Sequence, residues 1–291
     1  MDFDSFLDQA WTDHATDPTS VADRLARDAA ALADTSEHVV SLAHLAHHVY
    51  GAHLGRWADG RKLLDRLAAA AGADANAAAA LARFTASLDL CAGAADARDG
   101  MATSERIRVT ALAAASMVDH DAAQAGAWLS EAVAAAAADA LPKNDPAVRA
   151  LAVAGNNIAA ALEEKAARSA AERQLMIVAA QAGRRFWALA GTWLETERAE
   201  YRLAMTWLQA GDAAQARHHA QQCLAIVQEH GGAPLERFFG YEALALAERA
   251  DRNAAADAAA VVLARDAFAA LDEGDRGWCQ PTLDRLQAAA P

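Results

Sequence analysis

Segments with helical periodicity follow one another along almost the whole chain, and short turn signals separate them. Alanine, the strongest intrinsic helix former, dominates their apolar positions. Residues that favour strands never alternate over a run long enough to predict a sheet. The predicted helices cover residues 20–34, 36–54, 57–71, 75–95, 103–118, 121–140, 146–165, 169–189, 192–210, 213–230, 234–250, 254–272 and 276–289. The fold class predicted from this pattern is all-α.

Residues typical of helix starts and helix ends support the same interpretation. Proline at residues 18 and 146 follows an aspartate and is typical of the first helical position. Thr192 and Glu195 have the spacing of a capping box, and Gly55 and Gly211 are typical of helix ends. Only 96–104 and 141–145 resemble linkers, so one continuous array is expected.

Composition and charge exclude several function classes. Hydrophobic residues make up 54% of the 291 residues, but aromatic residues make up only 6%. Since alanine dominates the apolar residues, the core is expected to bring helices close together. A net charge of −13 disfavours a nucleic-acid surface and an acidic membrane surface. Cys91, Cys223 and Cys279 are odd in number and far apart, which fits reduced thiols, and no secretory-signal pattern is present. We expect a cytoplasmic protein that binds neither nucleic acid nor membranes.

The segment from Tyr201 to Cys223 resembles a tetratricopeptide repeat. In that family, small residues at the eighth, twentieth and twenty-seventh positions let two helices approach closely, and a large residue stands at the eleventh. Ala204, Ala216 and Cys223 occupy the small positions, Trp207 the large one, and a Gly-Asp turn separates the two helices. The resemblance implies an α-α superhelix, a solenoid of antiparallel helix pairs.

Two earlier units repeat the pattern at nearly the same interval. Stepping back 45 residues gives Ala159, Ala171 and Val178, after a Gly-Asn-Asn-Ile stretch similar to the signature of longer tetratricopeptide repeats. A further 46 residues back lie Ala113, Ala125 and Ala132. We therefore divide the chain into an irregular helical part over 1–104 and repeats over 105–291, which end in a capping helix at 277–289.

In this family the first helix of each pair lines the inner surface, so the resemblance implies a binding groove there. Its predicted binding residues are Asn156, Glu163, Arg198, Tyr201, Met205 and Gln209. A mixture of aromatic, apolar, charged and amide side chains suits a protein or peptide ligand. The alternative is that Tyr201 and Met205 pack between adjacent repeats. Exposed alanine-rich end helices could also mediate a homodimer.

Histidines support a competing hypothesis. His44 and His48 lie four residues apart on one predicted helix and could chelate a transition metal with a third ligand, but partly buried histidines that face a neighbouring helix explain the pattern better. No phosphate-binding loop, dinucleotide fingerprint, nucleophile elbow or Cys-x-x-Cys pair occurs in the sequence. We therefore predict a non-enzymatic binding scaffold without a cofactor, and as the alternative a bacterial small-molecule or metal-responsive regulatory protein that acts through a partner.

Overall fold

The computed structural model describes residues 2–70, 72 and 74–288, and within them the chain is all-helical, with no β-strand. The helices are α1 (Phe3–Asp13), α2 (Pro18–Leu32), α3 (Ser36–Ala46), α4 (Trp57–Ala70), α5 (Ala75–Cys91), α6 (Thr103–Met117), α7 (Ala122–Ala138), α8 (Pro146–Glu164), α9 (Ala170–Ala190), α10 (Trp193–Ala210), α11 (Ala213–Glu229), α12 (Pro234–Ala250), α13 (Ala254–Ala269) and α14 (Glu273–Gln287). A π-helical segment, His47–His53, continues α3 and is called the π-turn below. The all-α prediction is confirmed. Among these helices, none is long and apolar enough to span a bilayer.

Side-chain caps fix where most helices begin. The predicted capping box at Thr192 and Glu195 is present, and a second one joins Ser169 to Glu172. In each, the hydroxyl accepts from a first-turn amide while the glutamate accepts from the cap backbone, which satisfies two amides that lack a helical partner. Gly211 ends α10 with φ of 84°, a left-handed conformation that glycine adopts without strain.

The structure differs from the predicted helices in three places. The sequence interpretation missed α1, which begins at an Asp2 cap and buries Phe6 and Ala10. The helix predicted over 36–54 is correct in extent but changes to π geometry at His47. The predicted final helix begins earlier, at Glu273, and its predicted last residue, Ala289, lies outside the described residues.

The chain forms two compact units, Met1–Ala154 and Gly155–Pro291, and α8 contributes to both. The first unit packs large aliphatic side chains into one core, with Leu25, Leu42 and Leu63 among its fully buried members. The predicted division at 104/105 falls within the first turn of α6, inside this first unit.

In the second unit, each helix from α9 to α14 packs on the next one in the chain, and the alternate helices α10, α12 and α14 also touch in order. Ala204, Ala216 and Cys223 are fully buried, as predicted. Small side chains therefore allow this close packing of α10 and α11.

The predicted small positions of the preceding pair are only partly correct. Ala159 is fully buried, but Ala171 and Val178 are exposed, so their predicted role is wrong. Five residues separate α8 from α9, whereas two separate α10 from α11. This longer connection shifts the buried face of α9 to Met176, Ala179 and Gly183. In the earliest unit, Ala113, Ala125 and Ala132 are buried as predicted.

Candidate functional site

Three histidines of the first unit bring their ring nitrogens together. One nitrogen from each of His14, His48 and His53 lies within 4.8 Å of the other two. Nε2 of His48 and Nε2 of His53 are 3.1 Å apart, so one imidazole N–H donates to the lone pair of the other. His14 and His48 are half-buried, whereas His53 is exposed. The cluster therefore lies at the surface of the unit and is open on the His53 side.

The π-turn is what places His48 beside His53. In an α-helix, with about 100° of rotation per residue, side chains five apart point about 140° away from each other. A π-helix hydrogen-bonds each residue to the one five positions on, and so aligns such a pair. The amide of Leu54 donates to the carbonyl of Val49 at 3.1 Å in this manner.

A histidine from outside the segment holds the end of the π-turn. Nε2 of His120 lies 3.1 Å from the Gly51 carbonyl and 2.9 Å from the Ala52 carbonyl. Because carbonyls only accept, this nitrogen carries the proton and donates to both. The ring also stacks edge-on against Trp57, with ring centroids 5.5 Å apart. The unusual helical geometry is therefore fixed by tertiary contacts.

His14 caps the C-terminal end of α1, and its own tautomer is set by the backbone. Nδ1 lies 2.5 Å from the carbonyl oxygen of Trp11. A carbonyl cannot donate, so Nδ1 carries a proton, and in the neutral ring Nε2 is the nitrogen that holds the lone pair. A histidine that ligates a metal is oriented in the same way, by donation from its second nitrogen to a carbonyl or carboxylate.

Trp11 forms the apolar wall of the cluster. Its ring lies 5.1 Å from the His14 ring and 5.4 Å from the His48 ring, measured between centroids. Burial, followed by the neighbouring His53, His14 and His44, lowers the pKa of His48 to about 3. Burial and the proximity of His14 also lower the pKa of His53. These two imidazoles are therefore neutral at physiological pH, the form in which histidine binds metals.

The predicted pair His44 and His48 is not the pair that the structure brings closest. His44 lies against Trp11 and stacks on Phe84, with ring centroids 5.4 and 5.9 Å away. His47 is buried and pairs through Nε2 with the hydroxyl of Ser87 at 2.9 Å, a structural contact. The sequence interpretation did not include His14 at all, because it did not predict α1.

The predicted groove residues of the second unit are joined to neighbouring helices. Glu163 accepts from Arg202 and from Thr206, both at 2.5 Å. Its side chain is only 10% exposed, so this predicted groove residue is largely buried and already paired. Burial raises its pKa, although the Arg202 guanidinium opposes that shift.

Of the other five predicted residues, three contact another helix, one contacts the connection between α8 and α9, and one bonds within its own helix. Arg198 of α10 donates to Glu236 of α12 at 2.9 Å, and the Tyr201 hydroxyl donates to Glu242 at 3.0 Å. Met205 packs on the small cluster of Ala204, Ala220 and Ala243. The remaining contacts are from Arg168 to the Gln209 side-chain oxygen at 2.7 Å, and from Asn156 to Asn157 at 3.3 Å. Tyr201 and Met205 thus pack against the following helix pair, as the alternative interpretation stated.

A row of three aromatic rings crosses three helices of the second unit and is exposed to solvent at one end. Tyr201 of α10 meets Phe239 of α12 edge-on, with centroids 5.6 Å apart. Phe239 meets Trp278 of α14 at 5.2 Å. Trp278 is 65% exposed, the highest value among the exposed large hydrophobic residues of the described chain. We call Tyr201, Phe239 and Trp278 the aromatic row.

Comparisons of the chain with protein-family models, with curated proteins and with solved structures gave no match.

Proposed function

We propose that the chain is a non-enzymatic helical-repeat scaffold, similar to tetratricopeptide proteins, that binds a peptide segment across the aromatic row. The observation that supports this proposal is the exposure of Trp278 at the end of a row whose other members are anchored. Tyr201 is held by Glu242, and Phe239 packs between the two other rings. Rigid aromatic side chains supply large contact area at a small entropic cost, and they dominate binding energy in protein interfaces.

The chemistry beside the row suggests what the peptide contains. Arg198 lies on the same helix as Tyr201, and its side chain is 61% exposed although it donates to Glu236. A planar guanidinium suits a carboxylate, because its N–H groups can donate in pairs. We therefore propose a ligand that places an apolar or aromatic side chain on Trp278 and a carboxylate near Arg198.

The Trp278→Ala substitution tests this function with little risk to the fold, because most of that side chain is in solvent. Peptides are selected from a random display library on the wild-type protein and their affinities are measured by fluorescence polarisation. We expect W278A to weaken the selected peptides at least about 10-fold, the effect of an aromatic hot spot. Arg198→Ala is expected to weaken the carboxylate-containing peptides among them.

A matched control uses Val262 of α13, which is also exposed, at 51%, but lies outside the row. V262A is expected to bind the same peptides as tightly as the wild-type protein. Equal binding by W278A and wild type, with unchanged helix content by circular dichroism, would refute the proposed site. Selection of no peptide at all would count against peptide binding as the function.

We also propose a cytoplasmic location. Cys91, Cys223 and Cys279 are buried as free thiols, which suits a reducing compartment.

The second candidate function, a metal-responsive regulatory protein that acts through a partner, is favoured by the three clustered histidines of the first unit.

A further inference from the structure

We propose that His14, His48 and His53 form a binding site for one divalent transition-metal ion of the zinc type. This inference concerns the first unit and stands independently of the peptide-binding proposal. It rests on three observations: the convergence of the ring nitrogens, the tautomer that the backbone imposes on His14, and the π-turn that pairs the other two histidines.

The distances fit a shared ion. Nitrogen ligands lie about 2.0–2.1 Å from zinc, so two of them in a tetrahedral arrangement are about 3.3 Å apart. The 3.1 Å between the two Nε2 atoms of His48 and His53 is already close to that value. In the metal-free protein one proton must lie between these two lone pairs, and an ion would take its place. The third nitrogen lies within 4.8 Å of both, so ligation requires it to approach each of them by no more than about 1.5 Å.

The site is oriented before any ion arrives. His14 uses Nδ1 to donate to the Trp11 carbonyl, so Nε2 is the nitrogen that can bind. His120 holds the carbonyl end of the π-turn and thereby keeps His48 aligned with His53. π-helical turns are rare and are frequently found at functional sites, and the contact from His120 explains why this one is stable.

Ligand chemistry selects the class of ion. Three imidazoles suit zinc, copper, nickel or iron, whereas magnesium and calcium prefer oxygen ligands. Three protein ligands leave a fourth position, and because His53 is exposed that position faces solvent and would hold water. The ion would join α1 to the π-turn, two elements that are far apart in the sequence.

The experiment uses the full-length chain, prepared without a polyhistidine tag and stripped of metal with a chelator. Zinc is titrated calorimetrically, and cobalt is titrated by visible absorption, because four-coordinate cobalt gives a characteristic band. We expect one zinc ion per chain, displacement of cobalt by zinc, and no competition from magnesium or calcium.

Single substitutions identify the ligands. His53→Ala is the decisive variant, because this side chain is exposed and its loss leaves the core intact. We expect zinc affinity to fall on the order of 100-fold in H53A and in H14A, at or above the loss seen when a second-shell partner is removed. His44→Ala is the matched control, since His44 lies one helical turn from His48 and also contacts Trp11 but is not a member of the cluster. H44A is expected to retain wild-type affinity within about twofold.

Several results would overturn the proposal. They are an H53A affinity equal to that of the wild type, an equal loss in H44A and H53A, and a zinc stoichiometry other than one. Magnesium competing on equal terms would also exclude a histidine site. The H53A and H14A measurements decide the question, because circular dichroism shows whether those variants are folded.

Discussion

Replacing Gly155 by alanine is expected to lower the unfolding free energy of the second unit by about 3 kcal/mol. A Cβ at this position of α8 would lie 2.6 Å from the carbonyl oxygen of Ala179 and 2.6 Å from the amide nitrogen of Gly183. Both are backbone atoms of α9, so no side chain can rotate away and the helices must separate. Alanine in a helix interior normally gains about 0.5–1 kcal/mol over glycine, and the steric cost exceeds that gain. Calorimetry should show a fall in Tm of about 10 °C.

Gly277→Ala provides the matched control. Gly277 lies inside α14, and a Cβ there would meet no atom within 4 Å. The same substitution is therefore expected to stabilise the protein by about 0.5–1 kcal/mol, with the opposite sign. If G155A proves as stable as the wild type, the close approach of α8 to α9 is wrong. Parallel behaviour of the two variants would mean that helix propensity, not packing, governs both positions.

Most helices could be predicted from the sequence, because each has apolar residues at the helical period and typical start and stop residues at its ends. The predicted boundaries of α10 and α12 agree with the structure to within one residue. The omission of α1 was avoidable, since Phe3, Phe6, Leu7, Ala10 and Trp11 follow the spacing of one apolar helix face after an Asp2 cap. Because α1 was not predicted, the sequence analysis did not consider His14, which is the third histidine of the cluster.

The register of α9 could not be predicted from the recurrence of small residues alone. A 45-residue step assigns Ala171 to a buried position only if the connection between helices keeps its length. The five-residue connection before α9 breaks that condition, and a chain rich in alanine offers a small residue at almost any register. Gly155, not Ala171, therefore makes the closest approach between these two helices.

The histidine cluster was hidden from sequence analysis for a different reason. An α-helical period pairs His44 with His48, whereas the π-turn pairs His48 with His53. Tertiary contacts from His120 and Gly51 stabilise that local geometry, and no local pattern in residues 47–53 encodes it. Long-range contacts likewise determine the surroundings of the predicted groove residues. Glu163 and Arg198 bond to side chains about 40 positions away in the sequence.

Replacing Glu197 by glutamine is expected to remove a large pH dependence of stability. Glu197 is 1% exposed in α10. Its Oε1 accepts from the Cys223 thiol at 2.8 Å. Its Oε2 is buried and has no hydrogen-bond partner among the described residues. Burial, with the nearby charge of Glu236 and against the Cys223 hydrogen bond and Arg198, raises its pKa from 4.5 to about 7. The carboxyl is therefore protonated in the folded protein under conditions where it ionises in the unfolded chain.

The direction of the effect follows from proton linkage. A folded-state pKa above the unfolded value gives stability that is fully present below about pH 4.5 and is lost as the pH rises to about 7. At 1.36 kcal/mol per pKa unit, the loss is about 3 kcal/mol. Glutamine resembles the protonated acid in shape but does not ionise, so E197Q should lack this loss. Urea unfolding between pH 4.5 and 8.5 should show the stability of E197Q rising by about that amount relative to wild type.

The exposed Glu164 of α8 supplies the control for removing one negative charge. E164Q is expected to track the wild-type stability within about 0.5 kcal/mol at every pH, because surface substitutions have small effects. A constant difference between E197Q and wild type across the range would contradict the prediction, and would mean that Glu197 is ionised in the folded protein and faces a compensating cation. Cys223→Ala separates the effect of the thiol on the Glu197 pKa from the effect of burial. Loss of its hydrogen bond to the carboxylate should raise the Glu197 pKa further and shift the same transition to higher pH.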